Sequence, residues 1–159
     1  MAKNKKYTYE YPRPAVAVDL VIFRGTLPHA EVLVIERKND PFKGHYALPG
    51  GFVDENETIE VAAARELQEE TSLFVFADIK NAELNLVGIY SDPQRDPRGR
   101  VISIAYSGVL KDMCWNNAEA RDDAVSLKWV PVSSIPKYFK LAFDHNNIVL
   151  QAQTKVYLK

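Results

Sequence analysis

The sequence predicts a mixed α+β fold, on three observations. Runs rich in β-branched residues recur along the chain, strong helical windows are confined to two places, and the two kinds of segment do not alternate as βαβ units would require. The first run is AVAVDLVIF from Ala15 to Phe23, followed by EVLVIE from Glu31 to Glu36. The Arg24–Ala30 segment between them carries Gly25 and Pro28, so a hairpin is expected. Asn39–Gly44 is polar and turn-rich, and Tyr46–Val53 brackets a Pro-Gly-Gly turn with apolar residues. Thr58 to about Thr71 is the strongest helical window, with Ala62, Ala63, Ala64 and Leu67 among many glutamates. Further strands are expected near Leu73–Ile79, Leu84–Tyr90, Val101–Leu110 and Leu127–Val132. A short helical turn is expected within Ser133–Lys140. A second helix follows from about Asp144 to Val156, with an apolar stripe through Ile148, Val149, Ala152 and Val156. Two helices are thus available to cover a sheet.

Length and composition bound the function. The chain has 159 residues, close to the usual size of one domain, so residues 1–159 are read as a single domain. Hydrophobic residues make up 47% and charged residues 26%, near the soluble globular average. No stretch approaches the roughly 20 apolar residues of a membrane helix, and the basic start lacks the apolar core of a secretory signal. Twenty basic and 21 acidic residues argue against electrostatic binding of duplex nucleic acid. The single cysteine, Cys114, cannot form an internal disulfide and reads as a small hydrophobe in a reducing compartment. A cytoplasmic protein with neither membrane nor nucleic-acid partner is expected. The first ten residues, with Lys3, Lys5 and Lys6, are read as a flexible tail or an edge strand.

The first helix carries the chemistry. On a wheel of about 100° per residue, Ile59, Ala62 and Ala63 share one arc, and Glu66, Glu69 and Glu70 fall on or beside it. The buried stripe therefore turns acidic in mid-helix. Like charges at i, i+3 and i+4 repel, and they lie near the helix C-terminus, where the dipole disfavours anions. That arrangement calls for a compensating cation, and carboxylate oxygens select hard divalent ions, Mg²⁺ or Mn²⁺.

Six residues after Gly51 stands Glu57, and Arg65-Glu66-Leu67-Gln68-Glu69-Glu70 follows. With Leu73, these residues resemble the Nudix hydrolase box, G-x5-E-x7-R-E-U-x-E-E-x-G-U with U apolar. The last box glycine is Ser72 here, at a position where a left-handed residue usually ends the helix. The resemblance implies a mixed sheet sandwiched between helices (α/β/α) and a metal-dependent pyrophosphohydrolase. It implies Glu66, Glu69 and Glu70 as metal ligands, with Glu66 and Glu70 foremost, completed by a backbone carbonyl near Gly50. Glu57 and Arg65 become an orienting pair that holds the acids by charge-assisted hydrogen bonds. The general base stays open between a box glutamate and an acid on a loop outside it, for which Glu119, Asp122 and Asp123 are candidates.

The segments Tyr11–Pro14, Arg37–Val53, Ser91–Ser103 and Ala142–His145 resemble the ADP-ribose pyrophosphatase branch of that family. This implies that the Arg95-Asp96-Pro97-Arg98-Gly99 loop lies at the substrate mouth. Arg95, Arg98 and Arg100 on that loop, with Arg37 and Gly51, are the candidate substrate-binding residues, guanidinium groups being suited to bidentate phosphate contacts. Phe42 and Tyr90 read as core packing before stacking rings, and His145 as a helix-start or core histidine.

The leading expectation is a Mg²⁺-dependent (or Mn²⁺-dependent) hydrolase that splits ADP-ribose, a nucleoside diphosphate sugar, into AMP and ribose 5-phosphate. The alternatives are a hydrolase of another nucleoside diphosphate derivative (NADH, a dinucleoside polyphosphate, an oxidised nucleotide) and a non-catalytic ADP-ribose sensor. Intact box acids favour the enzyme. Relatives in the branch often dimerise, which makes Tyr7–Pro14 a candidate homodimer segment.

Overall fold

The computed structural model describes residues 7–121 and 124–158. Seven strands among them form one mixed sheet: β1 (Ala15–Arg24), β2 (Glu31–Arg37), β3 (Tyr46–Ala47), β4 (Gly50–Phe52), β5 (Asn85–Tyr90), β6 (Val101–Val109) and β7 (Ala124–Pro131). The main path runs β3-β2-β1-β6-β5, with β4 on β1 and β7 on β2. Strand β1 is central. It runs parallel to β6 along nine residue pairs, from Ala15↔Val101 to Phe23↔Val109. Its other edge is divided: β4 takes Ala17–Asp19, and β2 pairs only at Phe23↔Val32 and Arg24↔Glu31. The expected hairpin exists, but β4 confines it to the strand ends.

The period-2 alternation of β1 sends side chains to two separate cores. Val18, Leu20 and Ile22 face helix α1 (Ile59–Thr71), packing with Ala62, Ala63 and Leu67. Val21 and Phe23 face helix α3 (His145–Tyr157), packing with Ile148, Val149 and Ala152. Each fully buried large side chain contributes roughly 1.5–3 kcal/mol, so both helices are held chiefly by their apolar stripes. The result is an α/β/α sandwich. Asp19 is on the same face as Val21, and so enters the α3 layer as a charge in an apolar strand.

Helix α1 starts where the sequence places it: the Thr58 side chain accepts the Val61 amide. It ends at Ser72, which takes the left-handed conformation (φ 63°, ψ 5°) while its amide donates to Gln68 O. The segment Leu73–Ile79 departs from its expected strand. Asp78 accepts the Phe74 amide at 2.7 Å and closes a helical turn, α2 (Val75–Asp78), leaving only a bridge from Ile79 to Leu110. A local side-chain acceptor has outcompeted the sheet for that amide. Residues 7–14 form no strand; Met1–Lys6 lie outside the described residues. Among the described residues, no helix is long and apolar enough to cross a membrane.

Candidate active site

Three segments meet at the C-terminal half of α1: the turn before β4, the 91–100 loop and the start of α3. The turn approaches the helix through two glycines. Gly50 has φ +152°, and a Cβ there would fall 2.1 Å from Val18 O; a Cβ on Gly51 would fall 2.2 Å from Glu66 Oε1. No other residue type fits this approach without displacement. The Gly50 amide donates to Glu70 Oε2 at 2.8 Å, and Glu70 is buried.

Arg65 organises the acids. Its guanidinium donates to Glu57 through Nη2 (2.6 Å) and Nε (3.0 Å), to Glu66 and Glu69 through Nη1 (2.8 and 2.9 Å), and to Phe52 O (3.1 Å). Glu57 also accepts the Asp54 amide. The Arg65 hydrogen bonds, with that amide, bring the Glu57 pKa down to about 2, and Glu57 in turn raises that of Arg65. Glu66 is raised, by burial first, with Glu69 and Glu57 adding to the shift and Arg65 opposing it.

A cleft of about 330 Å³ opens over this arrangement. Its walls include Glu66, Glu70, Gly50 and Gly51, with Arg37, Arg95 and Arg98 from the sequence-predicted set. Glu69 is not among its lining residues: its side chain is 45% exposed and turned to Arg65. Arg65 and Glu57 are not walls of the cleft. The three loop arginines part company. Arg95 is 4% exposed, its side chain donating to both Asp144 oxygens (2.7 and 3.0 Å) and to Asp19 (3.2 Å). Arg98 stands at the rim, paired with Asp96 at 2.6 Å and 5.0 Å over the Phe52 ring. Arg100 donates to Ser91 O at 2.6 Å and is not a wall of the cleft. Arg37 donates to Pro41 O and lies 5.0 Å over the ring of Phe143, another cleft wall.

Of the loop acids, Glu119 is exposed and away from the cleft, while Asp122 and Asp123 lie outside the described residues. The backbone of that loop is nonetheless tied to α1: Glu119 N–H donates to Thr71 O, and Arg121 N–H to Glu70 O.

Asp19, Ser103 and His145, none of them a candidate site residue from the sequence, form a buried polar cluster with the half-buried Asp144, and Asp19 and His145 line the cleft. Asp19 accepts from Ser103 and Arg95, and His145 Nε2 lies 3.3 Å from its Oδ1. The signal for Asp19 was present: it is the one charge inside AVAVDLVIF. Phe42 packs edge-on against Phe143, and the Tyr90 hydroxyl donates to Gln151, in line with packing roles.

The donor set suits a hard divalent cation. Two carboxylates at i and i+4, Glu66 and Glu70, line one cleft beside a close-approaching backbone, and burial raises Glu66 even against Arg65, a shift that a cation in the cleft would offset. Among the described residues, no three Asp, Glu, His or Cys side chains converge as a complete metal group, so the remaining donors would come from backbone, water or phosphate.

A family model of the NUDIX domain matches residues 13–152. The chain belongs to the Nudix family. This Nudix protein is 45% identical over 145 residues to an ADP-ribose pyrophosphatase of Methanocaldococcus jannaschii, covering 91% of the chain and 76% of that relative. It is 31% identical over 145 residues to the ADPR responsive transcriptional repressor NtrR of Acinetobacter baylyi, covering 90% of the chain and about half, 54%, of the repressor. Among solved structures, it resembles the NUDIX domain of Shewanella oneidensis NrtR complexed with ADP ribose. The TM-score is 0.78 at 26% identity, over 92% of this chain and 90% of that one. The Nudix protein is a hydrolase.

Proposed function

We propose that this Nudix hydrolase cleaves the pyrophosphate of ADP-ribose to AMP and ribose 5-phosphate, with Mg²⁺ or Mn²⁺ as cofactor. The observation that carries the reading is the inward pair Glu66 and Glu70 on a glycine-lined cleft, in a chain 45% identical to an ADP-ribose pyrophosphatase. Glu66 and Glu70, with a main-chain carbonyl at Gly50, would hold the metal, and Glu69 would add charge from the outer side. When bound, the cation supplies charge neutralisation for the phosphate oxygens and lowers the pKa of the attacking water. The protein's own part is orientation. Arg65 and Glu57 fix the acids, Gly51 leaves room for Glu66, and Arg37 and Arg98, both over the Phe143 ring, would meet the diphosphate. Arg95 acts by anchoring its loop, since its donors are engaged by carboxylates.

A panel of ADP-ribose, NADH, a dinucleoside polyphosphate and an oxidised nucleoside triphosphate, each with Mg²⁺ or Mn²⁺, tests this by released AMP or phosphate. Turnover led by ADP-ribose is expected. Faster turnover of another member reassigns the substrate. The relationship to the NtrR repressor supports one further reading, a sensor; tight ADP-ribose binding without product would establish it. The reading includes a cytoplasmic homodimer, checked by light scattering.

A further inference from the structure

Between Leu48 and Gly50 the chain offers two backbone donors, because Pro49 has no N–H. The Gly50 amide goes to Glu70 on α1, and the Leu48 amide goes to His145 Nδ1 on α3 at 2.9 Å. The turn is thus strung between helices on opposite faces of the sheet. Pro49 O accepts the Leu20 amide and fixes its third side. Since Nδ1 accepts, the ring proton is on Nε2, which faces Asp19 Oδ1 at 3.3 Å. Asp19 Oδ2 takes Ser103 and Arg95.

We infer that Asp19 and His145 are a positioning pair for hydrolysis: Asp19 fixes the imidazole so that Nδ1 holds Leu48, and the turn then presents the Gly50 amide to Glu70. This rests on the hydrolase reading of the Glu66/Glu70 cleft. Neither residue needs to touch the reacting atoms. Leu48 is buried, so its amide has no water to turn to if the imidazole rotates away. The same carboxylate accepts from Arg95 at 3.2 Å, but that arginine makes two shorter bonds to Asp144, so its loop stays anchored when Asp19 changes.

In Asp19→Asn one oxygen becomes an NH₂ group, which cannot accept from both His145 and the Ser103/Arg95 side. The expected result is a kcat reduced about 10–100-fold with KM for ADP-ribose nearly unchanged. In the metal-free protein, the Leu48 and Gly50 amides should exchange roughly tenfold faster, while Val21 and Ala105 in the central strands keep their protection. His145→Asn, which retains an acceptor near the Nδ1 position, should recover much of the kcat lost in His145→Ala. Ser103→Ala, a smaller change, gives the same pattern at lower amplitude should Asp19→Asn fail to fold. In the wild type, an NMR coupling across the Leu48 N–H···Nδ1 bond and an Nε2–H tautomer are expected. A folded Asp19→Asn or Ser103→Ala with wild-type exchange at Leu48 and Gly50, an Nδ1–H tautomer, or equal kcat in the two His145 variants would overturn the pair. Loss of the hydrolase reading looks different: the wild type turns over no pyrophosphate while the exchange and tautomer results stand.

Discussion

The Gly50 amide and the Glu70 carboxylate, twenty residues apart in sequence, meet at 2.8 Å, so a helix acid takes its direction from a turn in a different element. Glu66 is set by the neighbouring glycine, since only a missing side chain at Gly51 leaves its carboxylate room. Glu70 is therefore aimed by a backbone amide, Glu66 by the room at Gly51 together with Arg65, and the outward Glu69 by Arg65.

Substitution of the acids should separate them. Glu66→Gln and Glu70→Gln should each lower kcat at least about 100-fold, equivalent to about 2.7 kcal/mol of barrier, with circular dichroism unchanged. Glu69→Gln, on the Arg65 side, should have a smaller effect. Steady-state kinetics of the three variants in saturating Mg²⁺ measures this, and equal losses would place Glu69 in the cleft.

The two glycines should fail differently. A methyl at Gly51 meets the end of a flexible carboxylate, so Gly51→Ala should fold and lose turnover as Glu66 is displaced. A methyl at Gly50 meets the Val18 backbone, and Gly50→Ala should cost about 1–3 kcal/mol or more in urea unfolding.

Burial separates two arginines of one loop. Arg95→Ala leaves Asp19 and Asp144 without their cation and should cost about 3–5 kcal/mol of stability. Arg98→Ala takes the guanidinium from the buried Asp96 but leaves it the Arg98 amide, so it should cost less stability than Arg95→Ala and raise KM for ADP-ribose about tenfold, with kcat little changed. An unchanged KM would remove Arg98 from the substrate site.

The helix end can be improved. Ser72 takes a left-handed conformation that costs a non-glycine residue about 1 kcal/mol, so Ser72→Gly should raise the melting temperature by roughly 2–4 °C. Activity should be unaffected. A lower melting temperature would show that the Ser72 hydroxyl, which donates to Glu119 O at 3.3 Å, outweighs the backbone strain.

Acid should unfold the protein partly through Asp19. Burial raises its carboxyl, but His145, Ser103 and Arg95 together outweigh burial and hold the pKa at about 2, against an ordinary 3.8. Its contribution is present above about pH 4 and is lost as the pH falls from about 4 towards 2, about 2 kcal/mol in all. Urea midpoints of wild type and Asp19→Asn should therefore converge over that interval. A constant difference from pH 5 to 2 would contradict the assignment.

The sequence exposed much of this architecture for physical reasons. Thr58 as a cap and Ala62, Ala63 and Leu67 at helical spacing make α1 legible, and alternation in AVAVDLVIF makes β1 legible. Ser72 as a left-handed stop follows from its place in the box. The 73–79 segment misleads because its apolar, β-branched content favours a strand while Asp78 quietly closes a turn. On the wheel Glu66, Glu69 and Glu70 share an arc; the outward turn of Glu69 depends on where Arg65 extends, which spacing does not encode. The buried cluster was hidden for another reason. The partners of Asp19 are 76 and 84 residues away at Arg95 and Ser103, so only the fold assembles them.

The amides of Ser72, Glu119 and Arg121 engage the carbonyls of Gln68, Thr71 and Glu70 in the last turn of α1. An acidic patch would otherwise sit in the negative pole of its own helix. Because those oxygens are already engaged, the helix end adds less negative potential to that of the carboxylates. The distant loop travels with the helix, so a change in its length would act as a lever on Glu70.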